Sequence, residues 1–294
     1  MSDAAAGGPM GLPEAAAALG VHYMTAYRYV RTGRLPATLV GGVWKVDPAD
    51  LAALAHPEPP AGRPSHPRGE ARRLVPAMLE RRLVDGDVGG AYELCERALG
   101  SWAAPADLYT EILVPTLARI GDLWEAGRLS VADEHRATAT ATRLMGRLGP
   151  LFVHPGRRRG QVVVGAPAGD HHAMPSAIVG DLLRHAGFGV ADLGADTPSE
   201  SFVAAAFGSD RLVAVAVGAT LSGNEAAVEA TVAAVHEALP GVPVLVGGSG
   251  IPGAEAARRT GADRWSGLSA TSLVAAVEAA ALDPHQRPAA GRGG

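Results

Sequence analysis

From residue 161 to residue 281 the chain alternates short, largely apolar runs with stretches of helical periodicity, and this alternation limits its architecture more than any other feature. The runs fall at 161–166, 189–193, 212–217 and 243–246, with a shorter and more polar one, Asp263-Arg264-Trp265, closing the series. Each is followed by a helical pattern, at 176–186, 198–207, 225–239, 253–260 and 270–281. A strand that is apolar on both faces has to be covered on both, which a parallel sheet with crossover helices achieves. The pattern predicts five βα units. In such a sheet ligands bind outside the carboxyl ends of the strands, so the loops that follow the strands are the candidate site.

The α/β segment, 160–282, is expected to be flavodoxin-like (Rossmann-type) with a five-stranded parallel sheet, and two breaks set it apart from what precedes it. Pro57, Pro59, Pro60, Pro64 and Pro67 each remove a backbone donor and fix φ, which makes 57–70 a linker. A second break, 154–160, carries a proline, two glycines and three consecutive arginines. Between them, 71–153 shows helical periodicity, most of it apolar: Leu74, Met78, Leu79, Leu83; Ala91, Leu94, Cys95, Leu99; Leu113, Leu117, Ile120, Leu123; His135, Ala139, Thr142, Met145. A four-helix bundle is the expected result. The tail, 283–294, is rich in Pro, Gly and Ala and is expected to fray.

The first unit, 10–56, reads as helix, turn, helix, hairpin, helix. Pro13 suits a first helical turn, Gly20 ends that helix, and Gly33 stops a second one over 24–30. Gly41-Gly42 joins two short strands as a two-residue turn, and Asp47-Pro48 opens a last helix. The spacing is that of a winged helix-turn-helix. The whole chain carries a net charge of -4, yet between His22 and Lys45 stand Arg28, Arg31, Arg34 and Lys45 with no acid among them. The sum conceals a local cationic stretch that could meet DNA.

Cys95 is the single cysteine, so an intramolecular disulfide and a zinc site built on several thiolates are both excluded. With no secretory start, and no apolar stretch near the roughly 20 residues that span a bilayer, a soluble, cytoplasmic protein without a membrane partner is expected.

The loop after the first strand of the α/β segment runs Pro167-Ala168-Gly169-Asp170-His171-His172-Ala173-Met174-Pro175. It could be a plain polar loop. Alternatively an exposed imidazole could coordinate a transition metal while a carboxylate two residues away holds its other nitrogen, the relation of Asp170 to His172. The loop after the third strand, 218–224, offers Thr220 and Ser222, and Gly247-Gly248 after the fourth strand would let a bulky ligand approach the backbone. Taken singly, Trp124 reads as a core residue and Glu134-His135 as a first-turn acid with a satisfied histidine.

These pieces carry a resemblance. Leu12-Pro13-Glu14-Ala15-Ala16, Leu19-Gly20-Val21, Thr25-Ala26-Tyr27-Arg28-Tyr29-Val30, Gly33-Arg34-Leu35-Pro36 and Val43-Trp44-Lys45-Val46 resemble the winged DNA-binding domain of excisionase and MerR-type regulators. The resemblance implies that Thr25, Tyr27 and Arg28 face the major groove of a double-stranded operator while Arg34 and Lys45 meet phosphates. Asp170-x-His172-x-x-Pro175, the 218–222 loop and Gly247-Gly248 are similar to the signature of a cobalamin-binding domain. Trp124 followed by Glu134-His135 in a preceding bundle is the mark of the light-sensing, adenosylcobalamin-dependent MerR-type repressors of the CarH and LitR kind.

That resemblance implies His172 as the lower axial ligand to cobalt with Asp170 behind it, and the cofactor's nucleotide tail beside Gly247-Gly248. Trp124 would lie over the adenosyl group, with Glu134 and His135 on that group or the corrin edge and His171 close by. It implies a non-enzymatic, light-responsive repressor in which breaking the cobalt–carbon bond moves the bundle and disassembles a DNA-bound homo-oligomer, a dimer or tetramer. The chain departs from the family pattern at three places. Pro175 replaces the motif glycine, Gly218 replaces a serine, and Glu125 stands where the best-known photosensors carry the histidine that takes cobalt's upper face after photolysis. Two other readings stay open: a corrinoid-carrying methyltransferase subunit, and a regulator whose sensor binds another tetrapyrrole or a protein.

Overall fold

The computed structural model describes residues 8–19, 23–31, 35–41, 43–55 and 68–282, and it divides into two compact units, 1–68 and 69–294, each considered by itself. In the first, β1 (Met10–Gly11) leads into α1 (Leu12–Ala18), followed by α2 (Tyr23–Arg31), β2 (Thr38–Val40), β3 (Val43–Val46) and α3 (Pro48–Ala55). The Glu14 carboxylate accepts from the Gly11 amide at 2.8 Å, and Asp47 caps α3 by accepting from the Ala49 amide at 2.8 Å. Gly41 takes φ 57° in the β2–β3 turn, as a two-residue hairpin demands, while Gly42 lies outside the described residues. The three strands form one antiparallel sheet in the order β1-β3-β2. A small core of Leu12, Ala15, Ala16, Ala26, Leu35, Val46 and Leu51 holds helices and sheet together.

The second unit opens with four helical rods. They are α4 (Arg68–Asp85), α5 (Val88–Ser101), a rod made of α6 (Pro105–Asp107), a π-helical stretch (Leu108–Leu113) and α7 (Val114–Glu125), and α8 (Val131–Leu148). Asp87 caps α5 by accepting from the Gly90 amide, and Ser130 with Asp133 forms a capping box on α8. A 3-10 turn (Gly149–Phe152) then leads to the sheet. The α/β part runs β4 (Gln161–Gly165), α9 (Ala173–His185), β5 (Gly189–Asp192), α10 (Ser199–Phe207), β6 (Leu212–Gly218), α11 (Glu225–Ala238), β7 (Val244–Gly247), α12 (Ala254–Arg259), β8 (Arg264–Trp265) and α13 (Ala270–Leu282). All strand pairs are parallel and the order is β5-β4-β6-β7-β8, which is the flavodoxin order.

Successive strand residues serve opposite faces. Val163, Val215, Val217, Val244 and Val246 pack with Phe202, Val228, Val232 and Val235 on one side, while Val162, Val164, Ala214, Ala216 and Leu245 pack with Leu183, Leu273 and Val277 on the other. Helix α9 belongs to two cores. Its Leu183 faces the sheet, whereas Ile178 and Leu182 are part of the bundle core with Leu79, Leu94, Ile112, Leu144 and Phe152. No helix among the described residues is long and apolar enough to cross a membrane.

Cys95 sits in the bundle core, 2% exposed, and burial pushes its thiol up to about 12. Since the thiolate is the reactive form, the native chain should resist a disulfide reagent at about pH 8 and react fully once unfolded in denaturant. Rapid labelling of the native chain, followed by thiol titration, would contradict this packing.

Candidate functional site

The order of the sheet reverses between β4 and β6, and the loops leaving those two strands meet at its carboxyl edge. Asp170, in the first loop, is completely buried. Its Oδ1 accepts from the His172 amide at 3.1 Å and lies 2.7 Å from His172 Nδ1. Its Oδ2 accepts from the Thr220 amide at 2.6 Å and, less closely, from the Leu221 amide at 3.4 Å. Burial alone would raise this carboxyl, but the Thr220 amide, the His172 ring and the other donors outweigh it and hold Asp170 below the usual carboxylate range. A carboxylate at Asp170 requires the proton of His172 on Nδ1, leaving the Nε2 lone pair free on a ring that is 48% exposed.

His172 is also the N-cap of α9, and Pro175 falls in the first turn of that helix, where a missing N–H leaves no intrahelical bond unmade. His171 has a different neighbour. It is 77% exposed, with Nδ1 3.8 Å from Asp196. Asp196 is itself a part of the loop architecture, accepting from the Gly169 amide at 2.8 Å and donating its own amide to the Asp170 carbonyl at 2.8 Å. Asn224 adds a further tie between the two loops by donating from Nδ2 to the Ala168 carbonyl at 3.0 Å. Neither Asp196 nor Asn224 carries a sequence signal beyond being a polar loop residue.

A third loop, after β7, is interlocked with the second. The Gly250 amide donates to the Ala219 carbonyl at 2.9 Å, and Ser249 Oγ donates to the Thr220 carbonyl at 2.9 Å. Gly248 has φ 98°, and a Cβ there would run into the Ala219 carbonyl oxygen. At Gly247 a Cβ would meet Ser266 Oγ and would lie 2.6 Å from the Gly267 carbonyl oxygen. The room left by these two glycines is therefore taken by the chain's own backbone. Gly218 is the open position, where a Cβ would have no neighbour closer than the Gly165 carbonyl oxygen at 4.0 Å. Ser222 is exposed in the same loop.

On the bundle, Trp124 lies at the end of α7 and is 45% exposed, and Glu134 and His135 lie in the first turns of α8. Glu134 Oε1 accepts from Thr138 Oγ1 at 2.7 Å, and His135 Nδ1 is 3.7 Å from Glu134 Oε2. Among the described residues no hydrogen bond or ion pair joins Trp124, Glu134 or His135 to the Asp170 loop. In the first unit, Thr25 and Arg28 occupy α2 and Arg34 lies outside the described residues. Tyr27 packs partly against the core of that unit and stacks on Tyr23 with ring centroids 6.4 Å apart. Lys45 sits in the central strand β3, paired with Gly11 and Thr38.

Among the described residues no cluster of three or more His, Cys, Asp or Glu side chains could hold a bare ion. One free imidazole nitrogen at an open sheet edge instead fits a metal that brings its remaining ligands with it, as a corrinoid does. Known families match the chain in three segments. Residues 77–148 and 160–277 each match a family described as a B12 binding domain, and residues 10–56 match a helix-turn-helix domain. Over 187 residues, 61% of this chain, the sequence is 30% identical to the dimethylamine corrinoid protein of Methanosarcina barkeri, of which 84% is covered. Over 149 residues it is 34% identical to the HTH-type transcriptional repressor CarH of Myxococcus xanthus, covering 49% of this chain and 48% of that one, about half the relative's length. The structure of the monomethylamine corrinoid protein of Methanosarcina barkeri shares the fold, with a TM-score of 0.61 at 22% identity over 71% of this chain and 99% of that one.

Two outcomes test the loop geometry. Gly248→Ala should cost about 1–3 kcal/mol in chemical denaturation, from its left-handed φ and the blocked Cβ, whereas Gly218→Ala should stay within about 1 kcal/mol of the wild type. The lowered Asp170 also has a defined sign: the unfolded chain takes up the proton first, so its contribution is present above about pH 4 and lost as pH falls through the lower folded value. Asp170→Asn should therefore show a shallower loss of stability on acidification than the wild type, and an identical acid limb would contradict the assignment.

Proposed function

The chain belongs to the corrinoid proteins, and from that premise we propose that it is a transcriptional regulator whose hold on DNA is set by the cobalamin it binds. Cobalamin is the cofactor of its two B12 binding domains. The observation that carries the proposal is the helix-turn-helix domain at 10–56 on the same chain as that module, an arrangement with an obvious use in gene control and none in carrying a methyl group. The 34% identity to the repressor CarH supports the same reading.

His172 would hold cobalt through Nε2, while Asp170 fixes the tautomer and orientation of the ring. Thr220, through its amide on Asp170, keeps the second loop beside the first. Trp124, Glu134 and His135 would contact the bound cofactor from the bundle side. The adenosyl form is the physiological one; when bound, it supplies a cobalt–carbon bond that light can break. The chain then changes its homo-oligomeric state and its affinity for a double-stranded operator contacted through Thr25, Tyr27, Arg28, Arg34 and Lys45. Glu125, beside Trp124, would offer a carboxylate rather than an imidazole to the bound group, so a lit state closed by a histidine at that position would not form here.

A second reading, a methyl-carrying corrinoid subunit, is favoured by the 30% identity to the dimethylamine corrinoid protein. Rapid demethylation of the methylcobalamin-loaded chain by a methyltransferase partner, without any DNA binding, would select it.

The absorbance spectrum of the chain with adenosylcobalamin, before and after green light, is the test. A spectrum with histidine in place of the cofactor's own base is expected in the dark, changing on illumination. An unchanged spectrum removes the light response. His172→Ala should lose the protein nitrogen altogether, and Asp170→Ala should weaken cobalamin binding by roughly 10–100-fold. Nitrogen-ligated cobalt retained in His172→Ala would contradict the assigned ligand.

A further inference from the structure

The helix that begins at His172 is held from the bundle side by a buried polar contact. Tyr109, fully buried in the π-helical stretch, donates from its hydroxyl to Asp181 Oδ2 at 2.8 Å, across 72 residues of sequence. Asp181 is 9% exposed, and its other oxygen accepts from Arg184 Nη1 at 2.9 Å. Burial, with the adjoining Asp181 charge, pushes the Tyr109 phenol far up, so it stays protonated and acts as a donor. The Tyr109 ring packs on Phe152, with centroids 4.3 Å apart, and Ile178 and Leu182 flank the contact from α9 inside the bundle core. Met174 and Ala177, in the first turns after His172, are packed against the same core.

We propose that Tyr109 is a positioning residue for His172: by holding Asp181 it fixes α9 against the bundle, and through that helix it sets where the imidazole stands. Asp181 is nine residues beyond His172, about 13 Å along a helix that transmits displacement as a rigid rod. Tyr109 lies in a π-helical stretch of the bundle, and such stretches are frequent at functional sites. The contact joins the bundle, which carries Trp124, Glu134 and His135, to the loop that carries His172. A change at either end is felt at the other. The proposal rests on the reading of His172 as the cobalt ligand, but its mechanical part does not need the cofactor.

The test compares Tyr109→Phe with Thr116→Val in the full chain. Thr116 is also buried in the bundle, where its hydroxyl donates to the Ile112 carbonyl at 2.7 Å, so its loss weakens the bundle alone. In the cofactor-free chain, amide hydrogen exchange over 170–178 should rise by roughly tenfold or more in Tyr109→Phe and stay near the wild type in Thr116→Val. With cobalamin bound and reduced to cobalt(II), the nitrogen splitting in the electron paramagnetic resonance spectrum should weaken in Tyr109→Phe alone. Unchanged exchange over 170–178 in Tyr109→Phe, or an equal rise in Thr116→Val, overturns the proposal. Wild-type cobalt(II) without a protein nitrogen would sink the ligand reading instead, and the exchange data would still decide whether Tyr109 governs the loop.

Discussion

One buried carboxylate organises the sheet edge. A charge as enclosed as that of Asp170 is costly unless its lone pairs are met, and here the donors come from two loops that are 50 residues apart in sequence. Meeting them fixes the gap between the loops after β4 and β6 and fixes the tautomer of His172 by the same contact. The third loop is then locked to the second through Gly248 and Gly250, whose missing side chains let backbone lie on backbone. The site is therefore preorganised before any ligand arrives, which lowers the ordering cost of binding.

The sheet was legible because β4, β6 and β7 are apolar on both faces and the helical patterns between them set the rhythm for the more polar edge strands β5 and β8; each of the five expected runs matches an observed strand to within a residue or two. Strand β1 was not legible: two residues at Met10–Gly11 have no period of their own and become a strand only by pairing with β3. The closeness of Asp170 to His172 could be read from their spacing of two. The tie to Thr220 could not, because the donor is a backbone amide and any residue supplies one. Gly247-Gly248 has a reason of its own that the sequence does not show: a Cβ at either position would meet Ser266, Gly267 or Ala219. Tyr109 and Asp181 carry no sequence signal, and only the tertiary structure brings them together.

Placing α9 in two cores at once makes the bundle more than a cover. Its apolar contacts with Ile178 and Leu182, together with the Tyr109–Asp181 hydrogen bond, link the bundle energetically to the loop that holds His172. A cofactor that favours one arrangement of bundle and loop over another can shift their balance only by the difference in its affinity for the two. On the proposed function, contacts of the bound cofactor with Trp124 and with His172 would differ between the arrangements, and the same coupling would appear as a change in DNA affinity.

Electrophoretic mobility of a DNA fragment recovered by the adenosylcobalamin-loaded chain from a random pool in the dark gives the most direct view of that coupling. The account predicts tight, salt-sensitive binding in the dark, little binding by the cofactor-free chain, and a loss of at least about tenfold in affinity after green light. Equal affinity in the cofactor-free, dark and illuminated samples would contradict it.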